Sequence, residues 1–123
     1  MPSLKKTSKH IFLIEPCDDL RNTITALLEY GGYQVTPLDK AEGALGLAVL
    51  QMPDAVVAET HQTHIDMNDL CRQLRSLPSM SECRMVALTG YCTPESTDEM
   101  LQAGFHAVLL KPASVEELFR AIG

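Results

Sequence analysis

Residues 53–59 read Pro53-Asp54-Ala55-Val56-Val57-Ala58-Glu59: a turn signal, an unbroken apolar run, then a lone carboxylate. A strand with one face in water alternates apolar and polar side chains. A short continuous run instead marks a strand buried on both faces, as in a parallel sheet covered by helices. The same reading holds for Ile11-Phe12-Leu13-Ile14, Met85-Val86-Ala87-Leu88 and Ala107-Val108-Leu109-Leu110. A weaker strand spans Tyr33 to Thr36, where alternation points to an edge position.

Helical patterns fill the gaps between these runs. Leu20, Ile24, Leu27 and Leu28 form an i, i+4, i+7, i+8 stripe that Gly31-Gly32 ends. Asp39 and Glu42 have capping-box spacing ahead of an Ala/Leu-rich helix running toward Gln51. Leu70, Cys71, Leu74 and Leu77 make a third stripe, ended by Pro78. Thr93-Pro94 is a cap followed by proline at the first helical position, and Gly104 closes that helix. Ser114-x-x-Glu117 is another capping box, with Val115, Leu118, Phe119 and Ile122 on the apolar face. Strand and helix therefore alternate five times with short connections. That order predicts an α/β domain with a doubly wound parallel sheet in three layers, α/β/α.

A chain of 123 residues has room for one such domain, and buries about two-thirds of its unfolded surface without a metal or disulfide. Residues 1–10, with Lys5, Lys6 and Lys9, are expected to be a frayed or disordered tail, and 11–123 the domain. The chain ends directly after the last helical pattern, so no output domain is expected within it. Net charge is −6, which argues against nucleic acid, because phosphate binding needs a basic surface. No apolar run approaches the roughly 20 residues that span a bilayer, and no signal-peptide pattern is present. Cytoplasm is the expected location, with no membrane partner. The four cysteines form no C-x-x-C pair and read as reduced apolar fillers, with Cys17 and Cys92 in loops.

In an open α/β sheet, ligands bind beyond the carboxyl ends of the strands. The residues just past the apolar runs are Glu15, Glu59, Thr89 and Lys111. Carboxylates, a hydroxyl and an ammonium thus converge on one rim, followed by Pro112. Polar residues often do no more than end strands, but that accounts poorly for a complementary set.

Over residues 11–123 the chain resembles the receiver domains of bacterial two-component response regulators. The resemblance rests on Ala87-Leu88-Thr89-Gly90-Tyr91, Gln102-Ala103-Gly104-Phe105 and Leu110-Lys111-Pro112, whose spacing also looks like receivers attached to hybrid sensor kinases. It implies the flavodoxin-like receiver fold with strand order 2-1-3-4-5 and helices one and five on one face. It also implies a cis peptide at Lys111-Pro112. Receivers take a phosphoryl group from a histidine kinase onto an Asp at the end of the third strand. An acidic pair after the first strand helps to hold Mg²⁺, and a Thr or Ser and a Lys contact the phosphoryl group.

Thr89, Lys111 and Pro112 match that pattern; the decisive positions do not. The phosphoacceptor position holds Glu59, and the acidic pair has become Glu15-Pro16. Val108 stands where the switch aromatic is usual. Glu59 carries its carboxylate one methylene, roughly 1.5 Å, further than an Asp. A misplacement near 1 Å can cost in-line transfer about a hundredfold. Mg²⁺ demands near-octahedral oxygen ligands, and Pro16 supplies none. Mg²⁺ binding is thus expected to be weak or lost. Glu59 is expected to pair with Lys111, either as a purely structural ion pair or as a mimic of the phosphorylated Asp.

Other readings are weaker. His61-x-x-His64 with Asp66 offers zinc- or nickel-type ligands, but loop histidines are commoner than ligands, so no metal is expected. A flavin phosphate needs a cradle of backbone N–H groups, whereas Glu15-Pro16-Cys17-Asp18-Asp19 is acidic and lacks one N–H. No base can be placed beside Cys17 or Cys92, so no enzyme activity is expected. Asp18 and Asp19 fit caps and dipole partners of the first helix better than phosphoacceptors. The function expected is a phosphorylation-independent protein-interaction module without a small-molecule cofactor. Its partner would be a sensor kinase, a phosphotransfer protein or an output domain. A live Mg²⁺-dependent phosphoreceiver is the alternative.

Overall fold

Burial on both faces explains the three central strands of the computed structural model, which describes residues 9–61 and 65–123. The run Ala107 to Leu110, expected to be covered on both faces, is instead a half-buried edge strand with Leu110 exposed. The strands are β1 (His10–Ile14), β2 (Gln34–Leu38), β3 (Ala55–Glu59), β4 (Arg84–Thr89) and β5 (Ala107–Leu110). All five residues of β3 are buried, so its lack of alternation reflects cover on both faces. Every pairing is parallel and the order is β2-β1-β3-β4-β5, as the resemblance implied.

The helices are α1 (Asp18–Tyr30), α2 (Ala44–Gln51), α3 (Met67–Ser76), α4 (Pro94–Ala103) and α5 (Val115–Ile122). Successive strand residues point to opposite faces, which divides the core in two. On one side Ile11, Leu13, Val57 and Val86 pack with Ile24 and Leu28 of α1 and Leu118 and Ile122 of α5. On the other, Phe12, Val56 and Met85 meet Ala48 of α2, Leu70 and Leu74 of α3, and Met100 of α4. Each fully buried side chain of this kind contributes roughly 1.5–3 kcal/mol.

Helix ends follow the local code in most places. Thr93 with Ser96, and Ser114 with Glu117, form reciprocal capping boxes, and Gly104 takes the left-handed cap with φ 118°. Asp18 and Asp19 lie in the first turn of α1 rather than capping it, since Cys17 takes the cap position without a side-chain bond. α2 departs further from expectation. It begins at Ala44, and Asp39 and Glu42 do not cap it, because Gly43 adopts φ 84° and no helix can run through that conformation. β2 also runs on to Leu38 through Pro37, which an edge strand tolerates. β1 takes in His10, whose N–H donates to Asp54 Oδ2 at 2.7 Å. Residues 1–8 of the expected tail lie outside the described residues.

Candidate functional site at the carboxyl rim of the sheet

The register brings the ends of β1, β3, β4 and β5 to one rim. Glu15 follows β1 and is fixed by its own N–H, which donates to the Leu38 carbonyl at 2.9 Å. Glu59 ends β3, Thr89 ends β4 and Lys111 follows β5, with Lys111-Pro112 in the cis form. Glu15, Glu59 and Thr89 are 2%, 6% and 0% exposed, so none can rely on water for its partners.

Their partners come from the chain itself. The Lys111 ammonium donates to Glu15 Oε1 at 2.9 Å and also to Glu59 Oε1, so it bridges both carboxylates. Glu15 Oε2 accepts the Cys17 N–H at 3.0 Å, and Glu59 Oε2 accepts the His61 N–H at 2.6 Å. Burial pushes the Glu59 carboxyl up, but hydrogen bonds from Lys111 and His61 outweigh it and hold the group below its ordinary range. Burial likewise works against the Lys111 ammonium, and Glu59 and Glu15 together raise it above the ordinary lysine range.

Among the described residues, Thr89 is joined to this trio through His61. Its hydroxyl lies 3.4 Å from His61 Nδ1, which is 3.2 Å from Glu59 Oε2, and it donates to the Tyr91 carbonyl at 2.7 Å. Val108 is half-buried against the core. Asp66 is occupied as the α3 cap, accepting from Asn68 N–H at 2.9 Å and Asp69 N–H at 3.3 Å. His64 lies outside the described residues, and among those described no three His, Cys, Asp or Glu side chains gather as metal ligands. Cys71 and Cys83 are buried, which raises their thiols to about 11 and about 12, as suits inert fillers.

Sequence reasoning missed Arg21. Its guanidinium donates to the Glu15 carbonyl at 2.8 Å and the Pro16 carbonyl at 3.4 Å, and pairs with Asp18 at 2.6 Å. A cation thereby ties the loop after β1 to the first turn of α1. The i, i+3 spacing of Asp18 and Arg21 signals the ion pair, but not the reach back to the loop carbonyls.

The comparisons agree with this architecture. Residues 11–123 match the family model described as response regulator receiver domain. A protein of Leptolyngbya boryana, described as an uncharacterized 14.6 kDa protein, is 30% identical over 112 residues, covering 91% of this chain and 86% of that one. Response regulator MprA of Mycolicibacterium vanbaalenii is 30% identical over 108 residues, covering 88% of this chain but only 46% of MprA. Among solved structures, the receiver domain of the Pseudomonas aeruginosa sensor histidine kinase PA1611, with a coordinated magnesium ion, superposes with TM-score 0.83. It is 27% identical, with 94% of this chain and 95% of that one covered. No helix among the described residues is long and apolar enough to cross a membrane. With that match and this topology, the chain belongs to the response regulator receiver domains of two-component signal transduction.

Proposed function

We propose that this receiver domain signals through protein contacts in a state that phosphorylation does not set. The observation that carries the reading is the Lys111 ammonium lodged between Glu15 and Glu59. Glu59 engages Lys111 through one oxygen and the His61 N–H through the other, so neither is directed at an incoming phosphorus. The donor set does not fit Mg²⁺ either: Pro16 has no carboxylate, and the oxygens of Glu15 already face an ammonium and an N–H. Glu59 is accordingly the structural partner of Lys111, and the domain has no reaction or small-molecule cofactor of its own.

The partner is a protein, either a sensor kinase, a phosphotransfer protein or an output domain, and neither nucleic acid nor a membrane. The contact face is α4, β5 and α5, elements on which Leu101, Leu110, Glu95, Glu99 and Glu116 are all exposed. Val108 has no aromatic ring to swing between positions, so that face is constitutive. Incubation with Mg²⁺ and a small phosphodonor should leave the intact mass unchanged; a stoichiometric phosphoryl adduct sinks the reading. Charge reversal at Glu95, Glu99 and Glu116 should weaken partner binding more than Glu59→Ala does.

A further inference from the structure

α2 leaves much of its apolar bulk outside. A helix covering a sheet turns large apolar side chains inward and polar ones outward. In α2, Ala44 and Ala48 are buried and Leu45 and Leu47 are half-buried against the core, while Val49, Leu50 and Met52 remain at 52%, 78% and 56% exposure. From Gly43 to Pro53 there is no charged residue. Gly46, Val49 and Leu50 share one helix face by their i, i+3, i+4 spacing. A Cβ at Gly46 would meet nothing within 4 Å, so the fold itself does not require a glycine in mid-helix. Met52 caps the helix at φ 47°, ψ 65°, a left-handed conformation that strains a side chain. Exposed apolar bulk, a needless glycine and a strained cap therefore fall on one short stretch.

Among the described residues, the charges next to this stretch in sequence are Asp39, Glu42 and Asp54 against Lys40, all exposed. We propose that the face docks a partner protein through an amphipathic segment whose apolar stripe covers Gly46, Val49 and Leu50 and whose flanks carry Lys or Arg. Gly46 lets the partner's backbone approach α2 closely, and the basic flanks meet the acidic rim. A second copy of the chain fits worse, because it sets the same acidic rim against itself at net charge −6. The inference rests on the reading of the domain as a protein-binding module. It concerns a separate face, since α3 packs between α2 and α4.

The test is an NMR titration of the ¹⁵N-labelled chain with two synthetic amphipathic helical peptides, each with a leucine stripe, one flanked by Lys and one by Glu. Amide shifts should cluster over residues 43–54, and the Lys-flanked peptide should bind about tenfold tighter than its Glu counterpart. Leu50→Asp, at an exposed position, should weaken that binding about tenfold with thermal unfolding unchanged. Equal affinity for the two peptides, or no binding by either, overturns the proposal. Shifts confined to α4, β5 and α5 overturn it while leaving the protein-module reading intact. That reading fails separately, by a phosphoryl adduct on the intact chain. Dimerisation in sedimentation that Leu50→Asp abolishes assigns the face to a second copy, and binding to anionic vesicles that it abolishes assigns the face to lipid. Either result overturns the basic-partner assignment.

Discussion

The rim of the sheet and the outer face of α2 treat unfavourable groups in opposite ways. At the rim, carboxylates and an ammonium that are expensive to bury have been buried, and Lys111, Cys17 N–H and His61 N–H satisfy them from within the chain. On α2, side chains that gain by burial have been left in water, and nothing among the described residues covers them. Completeness is the difference. The rim's charged groups are partnered within the chain, whereas the α2 face, on the proposal above, is completed by a docked partner.

The largest test of that contrast is Lys111→Met. It leaves Glu15 and Glu59 buried with no ammonium between them, and removing one partner of a buried ion pair destabilises by about 3–5 kcal/mol. Urea denaturation should show the loss, and adding Glu59→Gln should return part of it by removing one of the stranded charges. A loss below about 1 kcal/mol would class the trio with exposed salt bridges and undo the comparison.

The pH dependence is a gentler form of the same test, since a protonated carboxyl still hydrogen-bonds. Glu59 titrates below its ordinary value of 4.5, so its contribution is complete above that pH and is lost as pH falls through the folded value. Lys111 titrates above its ordinary 10.5, so its contribution is complete below that pH and is lost as pH rises through the folded value. The pair should therefore give stability a plateau between those limits and a decline on either side. In Lys111→Met the alkaline decline should shrink to the part that the buried Cys71 and Cys83 thiols contribute, as followed by urea midpoints across pH.

How far the sequence could be read follows the same divide. Strands were legible because burial on both faces forces unbroken apolar runs such as Ala55 to Ala58, and the rim because Glu15, Glu59, Thr89 and Lys111 each follow such a run. Thr93 and Ser114 were legible because capping is local chemistry. The bridging of both carboxylates by Lys111 was not, since it depends on side-chain directions across 96 positions of chain from Glu15. Arg21 escaped notice for the same reason, as its targets are backbone carbonyls that leave no mark on residue type. Asp39 and Glu42 had the right spacing for a cap, but the left-handed Gly43 intervenes.

A cap that does work gives the next test. Ser114 Oγ accepts the Glu117 N–H at 3.0 Å, and Glu117 Oε1 accepts the Ser114 N–H at 2.9 Å. Ser114→Ala leaves that helix N–H without its partner and should lower stability by about 1 kcal/mol. The same substitution logic applied to Asp39 should do nothing, because Asp39 caps no helix. Equal losses at both positions would mean that α2 starts earlier than Ala44 in solution.

The smallest expected effect is also the sharpest for α2. In the middle of an exposed helix, replacing glycine with alanine stabilises by roughly 0.5–1 kcal/mol, because alanine loses less backbone freedom on folding. Gly46 is well suited to show this gain, since its Cβ would point into open space and meet no neighbour within 4 Å. Gly46→Ala should therefore raise the melting temperature while weakening the docking of a Lys-flanked peptide, because the added methyl holds the partner's backbone away. A glycine present for folding would give the opposite stability sign, and one present for neither role would give the gain with docking unchanged. Only stability and docking moving in opposite directions assigns Gly46 to an interface, so differential scanning calorimetry and the NMR titration must be run on the same variant.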